Sequence, residues 1–170
     1  LFFPFFVVFM AITIPLNLEC LQQLDLSPAQ TAIDSLLQLP ALSADGQLRF
    51  EIDYPREPED PRELSEIPEL RLWFIRLDAR YPWLPVLLDW KAGELARYVA
   101  MLVPHQFHRT EGIQFNPEAL EIFLMQKIFA SADWLHRQGV PSKSKLMSMS
   151  QTLGYDLDES LFDLISNPDY

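Results

Sequence analysis

Residues 54–69 read YPREPEDPRELSEIPE, with four prolines and six acids in sixteen positions. Each proline holds φ at about −65° and removes a backbone donor, so neither a long helix nor an inner strand can run through most of this stretch. Regular structure must form on either side of it. The segment has an order of its own. Glu57, Asp60, Glu63, Glu66 and Glu69 recur every third residue, and Pro55, Pro58 and Pro61 do so in another register. Period three is the repeat of polyproline II, which would give the segment one acidic edge and one proline edge. Neighbouring acids would stand roughly 9 Å apart, about one Debye length at physiological salt, so their repulsion is mostly screened. A second signal starts at Asp60. Asp60-Pro61-Arg62-Glu63 offers an N-cap, a first-turn proline and an acid at the capping-box position. The expectation is an extended 54–60, then one helical turn over 61–66 that ends before Pro68, with Arg56 and Arg62 pairing to the surrounding acids. Such a segment can be an ordered solvated loop, a lip for a basic partner, or a source of paired carboxylates. It has acids but no histidine or glycine, and it matches no calcium-loop pattern.

The flanking sequence reads as short elements. Residues 11–16 predict a strand. Ser27 and Pro28 open a helix whose apolar positions Ile33, Leu36 and Leu37 keep helical spacing and which stops before Pro40. In QLRFEIDY, Leu48, Phe50, Ile52 and Tyr54 alternate with Arg49, Glu51 and Asp53, the pattern of a half-buried strand at or near a sheet edge. LRLWFIRLD, residues 70–78, is apolar on both pleat faces and reads as an inner strand. A helix is expected from Leu84 to Val103, ended by Pro104. Asn116 and Pro117 open another, to about Gln138 with Gly139 as its stop. Ser142 caps a helix over 143–153, and LDESLFDLI supplies a last helical piece. The order β-α-β-β followed by helices predicts an α+β fold: a small, mainly antiparallel sheet of about three strands with helices packed on one side and a helical C-terminal half.

Composition removes several classes of function. About half of the 170 residues are apolar, enough for a real core in one domain. The net charge is −11 and the pI about 4.6, which argues against nucleic acid and anionic membrane as partners. A basic protein partner is compatible with it. Cys20 is the only cysteine, so neither an internal disulfide nor a thiolate metal cluster can form. The uncharged opening LFFPFFVVFMAITIPL is short of the ~20 residues that span a bilayer, and it lacks the basic region and cleavage site of a signal peptide. Met10 stands just before the first expected strand. The expectation is that Met10 is the true start, that Leu1–Phe9 are an extension upstream of it, that residues 10–166 form the domain, and that 167–170 are a tail.

Few constellations carry chemistry. His105 and His108 have a zinc-compatible H-x-x-H spacing, but two ligands are too few and His136 lies far along the chain. With a carboxylate they are the residues a small metal-assisted hydrolase would use; ordinary polar packing is the plainer expectation. No G-x-S-x-G, P-loop or dinucleotide fingerprint is present. Lys143 and Lys145 stand at a helix start, a possible anion spot or simply a solvated face. Trp73, Trp83 and Trp90 fall within eighteen residues, with Tyr81 among them; a core cluster is the first reading and an interface the second. The helix PEALEIFLMQKIFASADWLH has two apolar stripes, one of Leu120, Phe123, Leu124, Ile128 and Leu135 and one of Ile122, Met125 and Phe129. A surface helix needs only one. Either it is sandwiched at the centre of the fold, the expectation favoured here, or its second face meets a partner.

The run FEIDYPREPEDPRELSEIPELRLWFIRLDARYPWLPVLLDWKAGELARYVAMLVPHQF, with EGIQFNPEALEIF and LGYDLDESLFDL, resembles the Chlororespiratory Reduction Six family of cyanobacteria and chloroplasts. The resemblance covers nearly everything from Met10 onward. It implies an assembly factor rather than an enzyme, helping to build the hydrophilic arm of the photosynthetic NAD(P)H dehydrogenase-like complex that serves cyclic electron flow. The implied client is the ferredoxin-like iron–sulfur subunit of that arm. A cyanobacterial, cytoplasmic form is implied, with no cofactor, no metal, no nucleic acid and no stable membrane insertion. The family carries no catalytic residues over to this chain. On this reading Glu57, Asp60, Glu63 and Glu66 steer a basic client face, and exposed aromatics around Tyr81 and Trp83 supply the burial.

Overall fold

The computed structural model describes residues 11–39, 47–110 and 112–166, without the side chains of residues 107, 108, 112–115 and 166. The expectations for Leu1–Phe9, Met10, Pro40 and the tail 167–170 lie outside the described residues. Strands β1 (Ile12–Leu16) and β2 (Leu48–Ile52) pair in parallel, from Ile12 opposite Leu48 to Leu16 opposite Ile52. A parallel pair needs a long crossover, and helices α1 (Leu18–Gln22) and α2 (Ser27–Leu37) lie in it. Ile14, Leu16, Leu48 and Phe50 are buried, while Thr13, Pro15, Arg49 and Glu51 are exposed, so the sheet packs through one face. Leu88 adds a single parallel bridge beside Leu48. A separate antiparallel pair joins β3 (His105–His108) and β4 (Gly112–Phe115). The α+β class and the helical C-terminal half stand, with seven α-helices among the described residues. The mainly antiparallel three-stranded sheet does not: the sheet at the core is two parallel strands.

The third expected strand is the reason. Residues 70–78 lie inside helix α3 (Pro68–Arg80). Leu70, Trp73, Phe74 and Leu77 keep the i, i+3, i+4, i+7 spacing of a helix face, and all four are buried. Leu72 and Ile75, which made both pleat faces look apolar, are 46% and 45% exposed. Pro68 at the first helical position and Glu69 in the first turn were the local signals for a helix.

The helix expected over 84–103 is also divided. Leu84–Leu87 form a 3₁₀ turn, Leu88 is extended against Leu48, and α4 runs from Glu94 to Leu102. Gly93 has φ +76°, a left-handed conformation that breaks the pattern at little cost only for glycine. Helices α5 (Pro117–Arg137), α6 (Lys143–Thr152) and α7 (Glu159–Ser166) follow. Asn116 caps α5 through Oδ1, which accepts the amides of Glu118 and Ala119 at 3.1 and 3.2 Å. At α2 the carboxylate that takes the Ser27 amide belongs to Asp25, at 2.9 Å, so the cap sits upstream of the expected Ser27.

Rings link the layers. Phe50 of β2 meets Phe74 edge-on at 5.2 Å, Phe74 meets Trp73 at 5.0 Å, and Phe74 meets Tyr98 of α4 at 6.1 Å. The fully buried Trp73 indole donates to the Asp25 carbonyl at 2.7 Å, tying α3 to the turn before α2. Three helices meet at one polar point. Lys127 of α5 is 4% exposed, and its ammonium and the Tyr98 hydroxyl both donate to Oδ1 of Asp78 on α3. Burial first, then the Asp78 charge, raises the Tyr98 phenol well above its usual range. Removing one partner of a buried pair strands the other charge. Asp78→Ala should therefore cost about 3 kcal/mol in urea unfolding, and Asp78→Leu combined with Lys127→Met should recover most of that. Equal losses in the single and double variants would show that the pair carries no coupling.

Candidate functional site

The segment 54–69 is one wall of the main cleft. A cavity of about 810 Å³ opens between it, the free edge of β2 and α4. Arg49–Ile52 form one side, Asp60–Ser65 the other, and Phe74, Tyr98 and Met101 are the apolar floor. The wall is built by local bonds. Asp60 accepts from Arg62 Nη2 at 2.7 Å and Nε at 3.0 Å, and its own amide donates to the Glu57 carbonyl at 3.0 Å. Arg56 reaches over and donates to the Arg62 carbonyl. The expected helical turn is a 3₁₀ turn at Leu64–Glu66, shorter than the 61–66 anticipated. Its capping box is Glu63 with Glu66, three residues later than Asp60: the Glu63 amide donates to Glu66 Oε2 at 2.7 Å, and the Glu63 carboxylate accepts the Glu66 amide. Asp60 is occupied by Arg62 instead, and that bond lowers its carboxyl to about 2.

Glu94 closes the cleft floor at the strand edge. It is 2% exposed, faces Arg97 at 2.9 Å and Arg49 at 3.7 Å, and accepts the Phe50 amide at 3.4 Å. Burial raises its pKa, while Arg97, the Phe50 amide and Arg49 pull the other way. Sequence gave little sign of this residue: a single acid opening a helix is usually solvated. Its signal was position, directly after the only Gly in the stretch 84–103.

Asp60 and Glu63 line the cleft; Glu57, Glu66, Tyr81 and Trp83 do not. The aromatics are also not the exposed pair expected. Tyr81 is buried at 7% exposure and Trp83 is half-buried. Trp83 stacks on Trp134 of α5 at 4.6 Å and 11°, and Tyr81 meets Trp83 edge-on at 5.5 Å, so this pair fastens the turn after α3 to α5. The second stripe of α5 is the surface that sequence reading misplaced. It is not sandwiched: Ile122 and Phe129 are 57% and 53% exposed. With Ile75 of α3, Ile122 and Phe123 border a second groove of about 300 Å³ that ends on Asp78. Lys143, weighed as an anion spot, bonds Asp163 at 2.9 Å and pairs with Glu159 at 3.2 Å, joining α6 to α7.

His105 lies on β3, half-buried; desolvation and the Arg71 guanidinium lower its pKa, while Glu66 and Glu63 oppose them. The His108 side chain is outside the described residues. Among the described residues no three His, Cys, Asp or Glu side chains gather to hold a metal ion, and no helix is long and apolar enough to cross a membrane.

The cleft, the exposed α3–α5 groove and the proline-acid wall all belong to the stretch that matches a known family. The chain matches the family described as Chlororespiratory reduction 6 over residues 16–164, and it belongs to that family. This is an assembly-factor family, linked to assembly of the NAD(P)H dehydrogenase-like complex. No solved structure matches the chain.

Two titrations check the site. Arg62→Gln should move the Asp60 carboxyl from about 2 toward the ordinary 3.8 in a ¹³C NMR titration; an unmoved midpoint would remove the Arg62 bond as the cause. Glu94 has a raised folded pKa, so its contribution to stability is complete below the unfolded value of about 4.5 and is lost as pH rises through the folded one. Glu94→Gln should flatten that decline in melting temperature, measured from pH 4 upward; a variant profile parallel to the wild type would assign the decline elsewhere.

Proposed function

We propose that the protein is a non-catalytic, client-binding assembly factor that holds the ferredoxin-like iron–sulfur subunit of the hydrophilic arm until it is docked. Family membership supports the pathway, and the exposed apolar stripe on α5 is the observation that carries the binding role. Ile122 of α5 and Ile75 of α3 border the groove with large apolar side chains in water, and Phe129 and Leu72 are exposed on the same two helices. Apolar surface of this kind marks interaction sites. The setting proposed is the cytoplasm of a cyanobacterium, in contact with assembly intermediates at the thylakoid surface.

Glu57, Asp60, Glu63 and Glu66 have a part in this reading as a negative rim beside the client, where charge mainly raises association rate and selectivity. Three of them already have local duties: Asp60 holds Arg62, and Glu63 and Glu66 cap one another. Glu57, at the exposed outer end, is the residue whose charge can be changed without undoing the wall. Tyr81 and Trp83 act behind the surface, by setting where α5 lies.

The test is affinity purification of the tagged protein from a cyanobacterial lysate, with bound chains identified by mass spectrometry. The expected result is the iron–sulfur subunit without the mature membrane complex, with Ile122→Glu plus Phe129→Glu reducing its recovery about tenfold or more. Recovery of the complete complex would make the protein a permanent subunit. Recovery of neither, at low and at physiological salt, would overturn the reading.

A further inference from the structure

We propose that the free edge of β2 is a strand-addition site, and that the cleft beside it takes an extended, acidic segment of the client as a third strand. This rests on the client-binding reading above and adds where and how the client is held. The pairing pattern leaves the edge open. The Ile12 amide bonds the Gln47 carbonyl at 2.6 Å and the Asp53 amide bonds the Leu16 carbonyl at 2.8 Å, so the odd-numbered residues of β2 face β1. Backbone groups alternate sides along a strand, which turns Phe50 and Ile52 toward the cleft. Residues 87–89 cover this edge at its start, where the Gln47 amide donates to the Leu87 carbonyl at 3.0 Å and the Asp89 amide to the Leu48 carbonyl at 2.8 Å. The Phe50 amide is met by the Glu94 carboxylate at 3.4 Å, a long bond in the place where a strand carbonyl would stand.

Two further features make the cleft a site for a peptide rather than an accident of packing. Ser65 lines it at 4% exposure, and its Oγ has no hydrogen-bond partner. A buried hydroxyl left unpaired is costly and calls for an incoming donor or acceptor. The two edges of the sheet also differ. Exposed edges are commonly blocked by proline. β1 carries Pro15, whereas Leu48–Ile52 contain none.

Donor chemistry selects the occupant. Four arginines and four acids line the cleft, so charge there is balanced and what the arginines offer is spare N–H donors. Arg49 and Arg97 share the single Glu94 carboxylate, and Arg56 is held by a carbonyl. Of the other acids in the lining, Asp60 is taken by Arg62 and Glu63 by the Glu66 amide, and Glu51 stands with Arg49 on the solvent face of β2. Guanidinium groups with spare donors at a strand edge suit carboxylates on alternate residues of an added strand.

The experiment titrates the full chain with two probes: the purified iron–sulfur subunit, and a decapeptide alternating Glu and Val. Affinity is read by calorimetry, and exchange of the Ile52 amide by NMR. Both probes should bind, and the Ile52 amide should exchange at least about tenfold more slowly when a strand caps it. Ile52→Pro, tolerated where the amide faces away from the partner strand, should abolish binding of both. Arg56→Glu, which leaves the strand untouched, should weaken both about tenfold. Ser65→Ala should raise the melting temperature of the free protein yet weaken binding about threefold to tenfold. If the subunit binds wild type and Ile52→Pro equally, the strand-addition site is overturned while the client reading stands. If only the decapeptide binds, with Ile52 protected, the site stands and the client reading fails. Three other outcomes overturn the site: no protection of Ile52 by either probe, equal binding of a Lys and Val decapeptide, or inorganic phosphate displacing the decapeptide from the Ile52→Pro variant. Self-association that Ile52→Pro removes would assign the edge to a second copy of this chain and overturn it as well.

Discussion

The edge-to-face packing of Phe50, Trp73, Phe74 and Tyr98 is the constraint on which the rest of the structure depends. A two-stranded parallel sheet with one wet face has little stability of its own. Phe50 supplies the inner face of β2 with rings from α3, and Phe74 passes the contact to α4. Each such pair adds about 0.5–1.5 kcal/mol beyond the area it buries, and its preferred angle fixes orientation as well. Once α3 is set against β2, its outer side is set too. Leu72 and Ile75 must then face water, and Asp78 must meet Lys127 and Tyr98.

Placement of α3 also explains the cleft. The chain leaves β2 at Ile52 and must return to start α3 at Pro68, on the core side of the same strand. The prolines and acids between them span that distance as a standing wall rather than a collapsed loop. Arg62 on Asp60, Arg56 on the Arg62 carbonyl and the Glu63–Glu66 cap hold the wall away from the strand edge. The acids first considered as a contact surface thus have a structural task before any other. Exposed pairs such as Arg62–Asp60 add little to global stability. What they give the loop is shape.

The molecule offers partners two unlike surfaces. The α3–α5 groove is mainly apolar, ends on the part-exposed Asp78 that pairs with buried Lys127, and lies on helices. The cleft has an apolar floor, is rimmed by arginines and acids, and runs along a strand edge. Apolar contact supplies most of the free energy of association, and strand pairing with charge sets register and selectivity.

Much of this was legible in the sequence. The alternation in 48–54, Asn116-Pro117 before the long helix and Gly139 after it are local signals. Each follows from dihedral preference or side-chain period, so it survives without knowledge of neighbours. The extended 54–60 expected from the period-three register is instead broken by a turn in which the Asp60 amide bonds the Glu57 carbonyl at 3.0 Å. The residues that went astray depend on what packs against them. Residues 70–78 carry apolar side chains at both strand and helix spacing; Pro68 and Glu69 favour the helix locally, and the ring contacts of Trp73 and Phe74 fix which face is buried. The direction of β1 against β2 is set by the α1–α2 crossover, which periodicity does not reveal. The burial of Tyr81, the exposure of Ile122 and Phe129, and the burial of Glu94 are likewise decided by which face of a helix the core claims. The sequence by itself determined what each face is made of and the boundaries set by Asn116, Pro104 and Gly139. Tertiary structure alone decided which faces meet, because burial is a property of pairs of surfaces and not of one stretch of chain.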